Sequence, residues 1–132
     1  MADEILEKFT LGIDKFNEGE YYECHDILED VWFEIRGQDR KFYQGLIHLA
    51  VGFYHILHRN NPKGALSQLN KGITKLSLFK PTYKGVELEN LLHNVDKYIN
   101  EIILFREGNP EDLNRMVIPK IEFDSSSFKI QS

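Results

Sequence analysis

Apolar residues return at steps of three and four along almost the whole chain as far as Phe105, the period of an amphipathic helix. Five helical segments follow from that pattern. The first spans Ala2 to about Phe16, with Ile5, Phe9, Ile13 and Phe16 on one stripe and Gly19 just past its end. A second runs from Glu20 to about Ile35 with Tyr21, Cys24, Leu28, Val31 and Ile35 inward, and Gly37 marks its stop. The third, from about Arg40 to Leu57, is apolar nearly all round and belongs at the centre. In "NNPKGAL", Asn61 is a natural cap and Pro62 stands at the first helical position, where its missing donor costs nothing. That fourth helix must end before Pro81, and a fifth is expected from Val86 to Phe105. The "EGNP" stretch closes it.

Beyond the fifth helix, "VIPKIEFDSSSFKIQS" holds a proline, a run of three serines and a short alternation of Ile121 and Phe123. It reads as an extended tail that docks on the bundle or on a neighbouring subunit, with loose last residues. The division expected is one helical domain over 1–116 and a tail over 117–132. Cys24 and Ala65 are each followed four residues later by leucine, Leu28 and Leu69. That echo is similar to the second helix of a tetratricopeptide repeat, at a spacing unlike the usual one of about 34 residues. The fold class is therefore all-α: antiparallel helical hairpins in a degenerate tetratricopeptide-like bundle.

Composition narrows the role. At 132 residues with 42% hydrophobic and 12% aromatic positions, the chain holds one core. Twenty-one acidic against sixteen basic residues leave a net charge of −5, the wrong sign for a protein that binds by neutralising phosphates. No nucleic-acid partner is expected. The longest apolar run, "LIHLAVGFYHIL", is shorter than the roughly 18 residues that a bilayer requires and carries two histidines, so no membrane partner is expected. The acidic start "MADEILEKF" lacks the basic and apolar stretches of a secretory signal. With a lone cysteine, Cys24, best read as a small core residue, the expected location is cytoplasmic.

Polar groups inside the second and third segments need a reason. Folding the two against each other about Gly37 and Gln38 places His25 opposite Gly52 and His55, and Glu29 opposite His48 and Gln44. Gln44 or Gly45, then His48, Gly52 and His55, follow at steps of three and four on one face. His25, Glu29, His48 and His55 then form a candidate divalent-metal site for zinc, manganese, iron or nickel, with Gln44 beside it. Against it stands a hydrogen-bonded polar cluster that sets helix register and holds no cofactor. Gly45 and Gly52 cost helix stability, and serve close helix approach, room for the imidazoles, or both. Arg40 could bind an anionic ligand, but a salt bridge that holds the hairpin turn is the preferred reading. His58 and His93 read as surface residues.

The blocks "FNEGEYYECHDILEDVW", "RKFYQGLIHLAVGFYHILHRNNPKGAL" and "LNKGITKL" resemble the domain-of-unknown-function 309 family, over about residues 13 to 95. His25, Glu29, Trp32, Arg40, Gln44, Gly45, His55, Arg59, Asn61, Gly64 and Ala65 match its pattern. Asp26 stands where glutamate is usual, and His48 where glutamine is usual. The resemblance implies a small all-helical protein, sometimes labelled a metal-dependent hydrolase. Three roles stay open: a metal enzyme at that site, a helical module that engages a peptide or protein partner, and a homo-oligomer that exchanges its tail.

Overall fold

A computed structural model describes residues 2–106 and 118–128, and within them the fold is predominantly α-helical. Five helices form: α1 (Ala2–Asn17), α2 (Tyr21–Glu34), α3 (Asp39–His58), α4 (Pro62–Leu76) and α5 (Glu89–Arg106). Each packs against its neighbour in sequence from α1 to α4, and α5 returns onto α4. As its all-round apolar pattern requires, α3 lies between α2 and α4. Phe42, Leu46, Leu49, Ala50 and Phe53 are completely buried there. Asn61 caps α4, its side-chain oxygen accepting from the Gly64 amide at 3.0 Å.

Small residues set how closely α3 and α4 approach. A Cβ on Gly45 would stand 2.6 Å from Leu76 Cγ, and one on Gly52 equally close to Leu69. Gly72 repeats this from the other helix, against Leu49. Gly45 and Gly52 thus accept leucines of α4 and make no room for imidazoles. Close helix approach is thus realised at both positions.

The fifth helix starts later than its pattern indicates. Val86 lies in a two-stranded antiparallel ribbon, β1 (Thr82–Tyr83) and β2 (Val86–Glu87), before α5 begins at Glu89. Lys84 and Gly85 both take positive φ, +49° and +82°, which is the two-residue turn whose twist suits a hairpin. The tail completes this corner. Asp124 N donates to Gly85 O at 2.8 Å, Glu87 N donates to Glu122 O at 3.0 Å, and Phe123 bridges to Val86. Asn17, the last residue of α1, clamps Ile121 through both its amide atoms, accepting from the backbone N–H at 2.7 Å and donating to the carbonyl at 2.9 Å. The stretch 118–128 therefore docks on its own bundle. The "EGNP" stop, the 116/117 boundary and the loose last residues lie outside the described residues.

Beneath the ribbon sits a buried ion pair. Lys84 Nζ lies 3.2 Å from Asp39 Oδ2, both side chains under a tenth exposed, and Tyr83 donates its hydroxyl to Asp39 Oδ1. The ammonium also faces the rings of Tyr83 and Phe128. The pair ties the start of α3 to the ribbon and the tail.

Candidate functional site

The α2–α3 hairpin has the register that its short connection implies. His25 and Glu29 of α2, Gln44 and His48 of α3, and Gln68 of α4 line one groove of about 290 Å³, with Trp32, Ile47 and Val51 as its apolar walls. His55 does not line that groove. It shares with His25 a smaller pocket of about 160 Å³, formed with Tyr21, Tyr22, Val51 and Tyr54. His25 and Val51 stand between the two spaces.

His25 is held between two carboxylates. Its Nε2 lies 2.8 Å from Glu29 Oε2, one helical turn away, and its Nδ1 lies 3.3 Å from Asp26 Oδ1. The imidazole is a quarter exposed and the two acids more so. A neutral ring can donate to only one of them.

His48 has the opposite surroundings. Its Nδ1 donates to Gln68 Oε1 at 2.7 Å, and its Nε2 accepts from the Lys75 ammonium at 3.2 Å. Burial first, and then the charges of Lys75 and Lys71, pull its pKa below the ordinary value against the opposing pull of the Gln68 hydrogen bond. The ring is thereby kept neutral with both nitrogens engaged. The groove has the Glu29 carboxylate on its α2 wall and the Gln68 amide on its α4 wall.

Those surroundings decide how a divalent metal fits. His25 and Glu29 are close enough to reach one ion, whereas His48 already has an ammonium at the nitrogen it would offer, and His55 opens into the other pocket. Among the described residues no three His, Cys, Asp or Glu side chains form a group that could hold a metal ion. The four expected ligands are thus neighbours that do not converge in this arrangement. Cys24 is no nucleophile either, since it is fully buried and burial pushes its thiol up to about 12.

Arg40 and Trp32 support the groove from the turn. The guanidinium lies 4.0 Å from the indole centroid and donates to Ile35 O at 2.9 Å. Arg40 thus holds the turn through a backbone carbonyl and an aromatic face and not through the expected salt bridge, since no carboxylate among the described residues pairs with it. Trp32 Nε1 and His55 Nδ1 are shielded from solvent without a hydrogen-bond partner among the described residues. His58 and His93 are exposed. The sequence reading missed Gln68 and Lys75, because "SQLNKGITKL" looks like an ordinary amphipathic helix until α4 is placed across α3.

Residues 9–68 match the sequence profile of the family described as domain of unknown function (DUF309). Over that segment the chain is similar to members of that family. The match takes in the second half of α1, all of α2 and α3 and the start of α4, hence every groove residue from His25 to Gln68, and stops short of the ribbon, α5 and the tail. An uncharacterised protein of Aquifex aeolicus (strain VF5) is 27% identical over 100 residues, 74% of this chain and 28% of that protein. The uncharacterised protein YpuF of Bacillus subtilis (strain 168) is 47% identical over 47 residues, 35% of this chain and 26% of that protein. The chain thus spans little more than a quarter of the length of these relatives. No helix among the described residues is long and apolar enough to cross a membrane.

Proposed function

We propose that this chain is a helical recognition module and that the groove between α2, α3 and α4 is its binding surface. One observation carries this reading: His25, Glu29, Trp32, Gln44 and His48, all singled out by the sequence pattern, line one open groove with paired polar groups on opposite walls. Glu29 offers a half-exposed carboxylate to a basic group, while Gln44 and Gln68 offer amides that suit a peptide backbone. A groove of this size takes a short peptide segment with a lysine or arginine directed at Glu29. The engaged Nε2 of His48 and the buried, protonated Cys24 speak for binding over hydrolysis.

The reading is tested by nuclear magnetic resonance titration of short peptides that differ only in charge. Peptides carrying lysine or arginine should shift the amides of α2, α3 and α4 that border the groove, and Glu29→Gln should weaken them several-fold. A melting temperature raised by zinc, manganese or nickel in the wild type, and unresponsive in His25→Ala and Glu29→Gln, would instead restore the metal reading.

A further inference from the structure

The smaller pocket beside the groove has a chemistry of its own. Three phenol rings, Tyr21, Tyr22 and Tyr54, surround it together with the imidazoles of His25 and His55 and the side chain of Val51. The rings are mutually arranged, with Tyr22 and Tyr54 at 5.6 Å between centroids and Tyr22 and His25 at 5.9 Å. Tyr21 is fixed from behind, its ring packed on Phe16 and Phe53. Tyr22 is half exposed at the mouth. Burial raises the phenol pKa of Tyr21, so that ring stays un-ionised.

We propose that this pocket binds a quaternary ammonium head group. Aromatic faces attract a cation through the ring quadrupole, and several rings around one space add their attractions. Size agrees, because a cavity of about 150 Å³ takes a benzene-sized molecule, a trimethylammonium is of that order, and this pocket holds about 160 Å³. The lining is almost wholly apolar. A primary ammonium entering it would leave N–H groups without acceptors, whereas a fully methylated one has none to satisfy. The carboxylates of Asp26 and Glu29, 3.3 and 2.8 Å from the ring nitrogens of His25, place negative charge behind one wall of the pocket. The occupant is either a free choline-like molecule or a trimethylated lysine of another chain. The site stands whatever ligand the neighbouring groove takes.

The test is a titration of the whole chain with tetramethylammonium, read on the tyrosine ring resonances. The neutral isostere 3,3-dimethylbutan-1-ol controls for simple apolar filling. Tetramethylammonium should give saturable shifts and the alcohol much smaller ones. Tyr22→Leu and Tyr54→Leu should each weaken binding about five- to thirtyfold, the loss of one cation–π contact, and Tyr54→Phe should restore it. Should Tyr54→Leu fail to fold, Tyr22→Leu at the half-exposed mouth reads the same contact. Choline against a trimethyllysine peptide, with unmodified lysine as control, then separates the two sources. No saturable shift with tetramethylammonium, or equal binding of the neutral alcohol, overturns the site.

Discussion

His48 shows how one side chain can be taken for a ligand on its spacing and be used otherwise by its neighbours. Burial, and after it two lysines of α4, favour its neutral form in the folded protein, so the unfolded chain binds the proton more readily. This contribution to stability is present above the unfolded value of about 6.5, and it is lost as pH falls from there through the lower folded value. His48→Gln should flatten the slope of melting temperature against pH just below about 6.5. A slope unchanged in that variant would place the titration elsewhere. Gly52 poses the converse case, since alanine at a helix interior normally gains about 1 kcal/mol over glycine. Here the added methyl group would meet Leu69 at 2.6 Å and its backbone nitrogen at 3.2 Å. Overpacking costs about 1–3 kcal/mol, so Gly52→Ala should lower the denaturation midpoint.

Among the elements, the ribbon and the tail depend on contacts that no local pattern announces. Asp39 looks like a turn residue and Lys84 like a loop residue, yet they form a pair that is almost wholly buried. Truncating Asp39 takes a carboxylate away from both the buried Lys84 ammonium and the Tyr83 hydroxyl, and breaking a buried pair costs up to about 3–5 kcal/mol. Asp39→Ala should therefore destabilise the protein by about that amount in urea denaturation. Asn17 provides the tail's equivalent anchor through two hydrogen bonds, each contributing about 0.5–1.5 kcal/mol. Asn17→Ala should accelerate amide exchange at Ile121 while leaving Leu46, deep in α3, unchanged. Equal acceleration at both positions would show that the tail and the bundle open together.

At the scale of the molecule, α3 is the central helix, packed on α2 on one side and most extensively on α4 on the other. Leu69→Ala, which empties the site opposite Gly52, should cost about 2–5 kcal/mol, measured as a lowered midpoint with an unchanged helical spectrum. The five helices were readable before folding because helix formation and amphipathic periodicity are local properties of ten to twenty residues, and Asn61 with Pro62 announces a start in four letters. The neighbourhood of His25, Glu29, Gln44 and His48 was readable too, since a short connection forces an antiparallel register. Other features belong to tertiary structure. Which glycine faces a leucine, which imidazole meets an ammonium, where Asp39 finds Lys84 and why His55 opens into a separate aromatic pocket all depend on the rotation of each helix about its axis and on segments distant in sequence. Periodicity identifies an inward face, and the physical character of a site on that face is decided by what packs across it.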